Sequence, residues 1–276
     1  MNQLIFFANS QPHIAIAPET IFSIGPLGIT NSMILGVFGY ALLLWAFIYT
    51  AKVVRTGKKR NRLVQFIVWI YEELLSIIEG VIPDKNMARS VAPLPITLFF
   101  FIILQYWLGI LPIAGPITWD GQPIFRGFDA DLNTTFGLAI IVIVATQIYA
   151  VKVHGFFGNI GRYIRNPIKD PAGAFEGLLE LVAEFSRMVG LSFRLFGNVF
   201  AGEVLLVIIA YLTKTVAVAA LPPFYIFELF IGTIQAYIFF MLATVFISLA
   251  VAHHGDAPHS DHSPAAHKHA TASGNS

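Results

Sequence analysis

The sequence predicts an all-α polytopic membrane protein on three observations: a low share of charge, long apolar runs, and a one-sided placement of Lys and Arg. Of 276 residues, 56% are hydrophobic and 12% charged, where a soluble domain carries about 25% charged residues. A soluble fold of this length needs a charged surface that this chain has too few residues to build. A bilayer makes no such demand. The net charge is +1, which speaks against nucleic acid as a partner. With no cysteine, disulfides, thiolate chemistry and Cys-based zinc sites are excluded.

The elements follow in order. Residues 1–28 mix polar and apolar positions around Pro12, Pro18 and Pro26, lack the basic opening of a signal peptide, and are expected to form an outer lead-in. A membrane domain is expected over residues 29–252. Each crossing needs about 20 apolar residues. Residues 31–51 carry no charge and stop at Lys52, giving a first span. Residues 61–81 differ: Arg62, Gln65, Glu72, Ser76 and Glu79 recur at helical steps, with Leu63, Ile67, Ile70, Leu74 and Ile78 on the other side. That pattern predicts an amphipathic helix lying in the interface, with a soluble core helix as the alternative.

A second span is expected at 93–113, closed by Pro112, Gly115 and Pro116, and a third at 132–151, ending at Lys152. Residues 175–211 form a long helical stretch holding Glu176, Glu180, Glu184, Arg187, Arg194 and Glu203. Residues 212–223 read as a turn whose Pro222-Pro223 suits a helix start. The last span, 223–252, is uncharged after Glu228. Five spans and one interfacial helix result, the last two spans forming a long tilted hairpin. Residues 253–276 carry His253, His254, His259, His262, His267 and His269 among small and polar residues. Their composition predicts a disordered cytoplasmic tail; metal binding by the imidazoles is the alternative. No internal repeat is visible, so the inverted-repeat signature of many transporters is missing.

Basic residues orient the chain. With the N-terminus outside, only Arg126 and Lys214 of the 17 Lys and Arg residues fall in outer loops, and Arg187 and Arg194 lie within the membrane. All the others are then cytoplasmic.

Charge inside a membrane helix costs about 2.5–3.5 kcal/mol per residue at the centre and marks a functional site by default. At about 100° per residue, Glu180, Arg187, Arg194 and Asn198 share one stripe, and Glu203 falls on roughly the opposite face. Glu228 and Gln235 share a face of the next helix. An antiparallel hairpin turning near Thr215 sets Arg194 level with Gln235, and Glu203 level with Glu228. Two carboxyls reached from outer water can relay protons, because partial burial brings a carboxyl pKa toward neutrality. Arg194 is a permanent positive charge, a barrier to leakage and an attractor for a partner's carboxylate. No titratable pair completes a path within this chain, so a partner surface must carry the proton past Arg194. The bland alternatives are an ion pair of Arg187 with Glu184 or Glu180, and an ordinary interhelical hydrogen bond for Gln235.

Arg194-Leu195-Phe196-Gly197-Asn198 followed by Ala201-Gly202-Glu203 resembles the signature of subunit a of the F-type ATP synthase. Ile234-Gln235-Ala236-Tyr237-Ile238-Phe239 is similar to that family's final helix, and Asp131-Leu132-Asn133-Thr134 to the start of an earlier span. The resemblance implies a non-catalytic stator subunit in the bacterial inner membrane that couples proton flow to rotation and ATP synthesis. The implied partners are a ring of c subunits, peripheral-stalk b subunits and the lipid bilayer, with no cofactor and no metal. It implies that Arg194 is the stator arginine and that Glu203, Glu228 and Asn133 belong to the outer half-channel. Asn198 and Gln235 are the arginine's polar neighbours, and Glu180 and Arg187 belong to the cytoplasmic half-channel. Two places differ from the family's pattern. Tyr106 stands where the family often has Asn, six residues before the span-ending proline, and Met188 stands where Pro commonly follows the basic residue. Two other classes stay open: a self-contained channel or secondary transporter, and a structural anchor for a complex.

Overall fold

The computed structural model describes residues 20–24, 27–57, 61–111, 118–119, 122–123, 126–156, 158 and 171–252. The expected lead-in before residue 20 and the His-rich tail after residue 252 lie outside the described residues. Two strands, β1 (Thr20–Ile24) and β2 (Leu27–Thr30), pair antiparallel and lead into the first helix. Most of this pairing lies within the expected lead-in of residues 1–28, and β-branched Thr20 and Ile29 favour extended backbone.

Among the described residues, five helices are long and apolar enough to cross a membrane. The chain is a multi-pass membrane protein. Helix α1 (Asn31–Arg55) starts where the Thr30 side chain accepts the Met33 N–H, a standard N-cap. It runs past Lys52 to Arg55, since cations suit a helix C-terminus. Helix α2 (Arg62–Val81) is amphipathic and buries Val64, Leu74 and Ile78. Leu63, assigned to the apolar side, is half exposed. Short helix α3 (Lys85–Val91), capped by Asp84, runs into α4 (Pro93–Ile110), and Arg89 pairs with Glu79 of α2 at 3.0 Å.

Strands β3 (Thr118–Trp119) and β4 (Gln122–Pro123) form a minimal hairpin beyond α4. A 3₁₀ turn, Phe128–Ala130, then precedes α5 (Leu132–His154). The Asp131 carboxylate caps α5 by accepting the Asn133 N–H, and Gly155 at φ +75° ends it in a conformation that glycine adopts without strain.

Helix α6 (Pro171–Thr213) has 43 residues and α7 (Ala217–Val251) has 35. At 1.5 Å per residue they measure about 65 and about 52 Å, against a hydrocarbon core of about 30 Å. Helices of that length cross only with strong tilt or with their ends outside the core. The turn between them is Lys214–Val216 alone, so Pro222-Pro223 does not start the last helix. The prolines sit in its second turn, where they deprive the Val218 and Ala219 carbonyls of donors. Both residues are exposed beside the turn, so those carbonyls are not sealed in the core.

The core lies between α4 and α7. Ile102 and Tyr106 of α4, with Ala236, Phe239, Phe240 and Ala243 of α7, are almost fully buried. The Phe99 and Phe240 rings meet edge to face at 6.3 Å, a preferred aromatic geometry. Gly232 allows the Tyr106 ring against α7: a Cβ there would stand 2.3 Å from Cδ1 of that ring. Helix α5 joins α6 through the Thr135 and Ser192 hydroxyls, 3.0 Å apart and buried, and α6 packs on α7 along Leu195, Val199, Gly202 and Leu206. The other faces of α6 and α7 expose Leu181, Phe185, Ile208, Ile226, Phe230 and Ile234. Exposed apolar rows of that extent need lipid or a protein partner to cover them.

Candidate functional site

The 3₁₀ turn and the facing ends of α4, α6 and α7 gather the chain's buried acids. Gly202 on α6 lets the Glu228 carboxyl of α7 lie against the helix backbone; a Cβ at Gly202 would come within 1.8 Å of Glu228 Oε1. Glu228 is only 2% exposed, and its Oε1 accepts a hydrogen bond from the Tyr106 hydroxyl at 2.5 Å. This bond and the slot at Gly202 together fix the carboxyl in place. Glu203, one position beyond Gly202, faces the segment before α5. Its Oε1 accepts the Gly127 N–H at 3.2 Å, and its Oε2 lies 3.7 Å from Arg126 Nε. Gly127 fits only because Gly109 of α4 faces it: a Cβ at Gly109 would be 2.8 Å from the Gly127 Cα.

Asp129, at the centre of the turn, has no accessible surface, and among the described residues neither carboxyl oxygen has a hydrogen-bond partner. Burial pushes its carboxyl up from 3.8 to about 8. Its ionisation therefore costs the folded state. Stability from this group is fully present at low pH and falls as pH rises from about 3.8 toward about 8, because the unfolded chain releases the proton first.

On α6 the charged stripe divides. Arg194 is exposed and makes no hydrogen bond or ion pair among the described residues. Asn198, one turn on, donates from Nδ2 to Gln235 Oε1 at 2.5 Å, joining α6 to α7. Gln235 is thus interhelical glue, and among the described residues its buried Nε2 has no partner. Arg187 lies over the Phe246 ring of α7 with its Cζ 5.4 Å from the ring centroid. Among the described residues it forms no ion pair, so the ion pair with Glu184 or Glu180 is not what holds it. Glu184 instead accepts from Gln147 Nε2 of α5 at 2.5 Å. Glu180 is half-buried two turns before Arg187.

The expected residues thus fall into separate places. Glu228 packs against Gly202 of α6, and Glu203, the next residue, turns to Gly127 and Arg126 on the face opposite the outward-looking Arg194. Asn133 is exposed in the first turn of α5, where its backbone N–H serves the Asp131 cap; its side chain does not join the carboxyl group. Sequence reasoning missed Arg126, Gly127, Asp129 and the role of Tyr106. The available signals were the two aspartates flanking Ala130 and the phenol standing where the family often has an amide.

The model of the family described as ATP synthase A chain matches residues 33–248. The chain belongs to the ATP synthase subunit a family. Among relatives in that family, the ATP synthase subunit a of Enterococcus faecalis is 32% identical over 240 residues, covering 83% of this chain and 95% of its own length. That of Listeria monocytogenes is 37% identical over 230 residues, covering 80% of this chain and 90% of its own. That of Marinomonas sp. is 31% identical over 229 residues, covering 77% and 79%. The family match includes the carboxyl cluster, the Arg194 stripe and both long helices.

Proposed function

We propose that this chain is the stationary, non-catalytic membrane subunit of a proton-driven rotary ATP synthase, forming two proton half-channels against a ring of c subunits. The observation that carries the reading is the separation on α6: an exposed Arg194 without an ion pair among the described residues, and away from it Glu228 held at Gly202 and Glu203 on the opposite face. A guanidinium stays charged at any working pH. Placed at the bilayer's middle depth with no anion paired to it among the described residues, it calls for one from outside the chain, and an ionised carboxylate on each passing ring subunit supplies it.

Protons enter from the outer side at Glu203 and pass by Glu228 and the Tyr106 phenol to the ring. Arg194 holds the arriving ring site ionised until it has turned past, which keeps the two sides from joining. On the cytoplasmic side, Glu180 and Arg187 border the second half-channel. Asn133, exposed at the end of α5, lines the outer mouth. Each charge falling through about 100 mV releases about 2.3 kcal/mol, and the ring converts it to torque. The location is a bacterial inner membrane, with the N-terminus outside, the C-terminus cytoplasmic, and peripheral-stalk b subunits holding the stator.

The native chain has no cysteine, so single introduced thiols report contacts without background. A cysteine at Ala201, exposed two turns from Arg194 on its face, is expected to cross-link to a cysteine in the outer helix of the ring subunit within the intact complex. One at Val37, exposed on α1, is expected not to. Cross-linking at position 37 but not at 201 would remove the ring from the Arg194 face.

A further inference from the structure

We infer that Asp129 is a third proton-holding group of the outer half-channel, working beside Glu203 and Glu228 through the Tyr106 hydroxyl. The inference rests on the half-channel reading above. Three observations carry it.

The first is that Asp129 has no structural employment. It is completely buried, and among the described residues neither carboxyl oxygen is hydrogen-bonded. Buried polar groups in folded proteins are nearly always paired, and an unpaired one costs the fold rather than helping it. The capping task in this segment belongs to its neighbour: Asp131 accepts the Asn133 N–H and lies 3.5 Å from the Ser32 hydroxyl. A hydrophobic residue or an asparagine at position 129 would satisfy the packing as well.

The second is position. The turn Phe128–Ala130 is wedged among α1, α4, α5 and α6. Gly127, two residues before Asp129, donates its N–H to Glu203. Tyr106 lies one turn before Gly109, the residue that touches Gly127. The Tyr106 hydroxyl donates to Glu228, and the carboxyls of Asp129 and Glu203 lie near enough to act on it electrostatically.

The third is protonation. The groups facing the turn are Tyr106 from α4, Glu203 and its partner Arg126, Glu228 from α7, and Asp131 at the head of α5; α1 offers only the uncharged Asn31 and Ser32. Among the described residues no cation is paired with Asp129. Burial therefore keeps it protonated at neutral pH. No hydrogen bond joins Asp129 to Tyr106, so the neutral acid passes its proton through an intervening water to the phenol as the phenol's own proton moves to Glu228 in its ionised form. No atom is left over: Asp129 loses one proton, Glu228 gains one, and Tyr106 ends as it began.

The test uses the assembled complex in membrane vesicles with the catalytic head removed, measuring passive proton conduction driven by a potassium diffusion potential. Rates are normalised to assembled stator and ring. Asp129→Asn keeps shape and removes the proton. It is expected to slow conduction roughly tenfold, the loss of one acid–base step, and to flatten the dependence on outer pH between about 7 and about 9. Asp129→Glu is expected to recover most of the rate. Native conduction and pH profile in Asp129→Asn, with Glu228→Gln impaired, would overturn this inference and leave the half-channel reading standing. Native conduction in both variants would remove the half-channel reading, and this inference with it. Failure of Asp129→Asn to assemble where Asp129→Glu assembles would make the carboxyl structural and overturn the inference too.

Discussion

Arg194→Ala is expected to abolish ATP-driven proton pumping in inverted vesicles while stator and ring remain associated. The guanidinium has no partner among the described residues, so removing it leaves no buried anion behind and disturbs no internal contact. Its effect on the fold is accordingly small; exposed substitutions of this kind stay within about 0.5 kcal/mol. Its effect on the passing ring carboxylate is large. Two unit charges 4 Å apart at an effective dielectric near 20 interact by about 4 kcal/mol, equivalent to about a thousandfold in rate. Arg194→Lys keeps the charge but not the flat five-donor fork, and is expected to recover only a small part of the pumping. Quantifying pumping by acidification of the vesicle lumen, with immunoblots for assembly, checks both. Unchanged pumping in Arg194→Ala would leave only the anchoring role.

The second large effect is expected at Glu228. Glu228→Gln preserves the shape of a side chain held against Gly202 and under the Tyr106 hydroxyl, but removes its titratable proton. ATP synthesis driven by an imposed proton gradient is expected to fall about a hundredfold, within the range for loss of a positioned acid–base group. Passive leak is expected to stay flat, because Arg194 still separates the two sides. Gly202→Ala is expected to fail in the same direction by a different route: its Cβ would lie 1.8 Å from Glu228 Oε1 and must push the carboxyl out of its slot. Glu203→Gln is expected to slow entry less, since Glu203 is partly neutralised by Arg126 3.7 Å away. A rise in leak in any of the three, read from collapse of an imposed gradient, would contradict the roles given to these acids.

What the sequence disclosed and what it withheld have physical reasons. Spans without charge were legible because hydropathy alone decides which segments a bilayer accepts, and α1, α4 and α5 are such segments. The face arithmetic on α6 was legible because helical rotation is fixed at about 100° per residue: Arg194 looks outward and Glu203 toward the turn before α5. The hairpin register was legible to within a turn, since Asn198 meets Gln235 and Gly202 meets Glu228. Pro222-Pro223 misled because proline usually opens a helix, yet here five residues of helix precede it. The Tyr106–Glu228 bond joins residues 122 positions apart, and Gly127–Glu203 joins residues 76 apart. Partnerships of that kind depend on tertiary packing that no local pattern encodes. Asp129 was passed over because one acid in a short loop reads as solvated, and only the packed structure closes four helices around it.

The central claim is that this chain holds an incomplete proton path, closed only by a ring carboxylate passing Arg194. Proton flux into liposomes under a potassium diffusion potential tests it most directly, comparing the purified chain alone with the chain reconstituted with its ring. The account predicts no flux above empty liposomes for the chain alone, and conduction with the ring that is lost in Glu228→Gln. Flux through the chain by itself would contradict it and make this protein a self-contained conductor of protons.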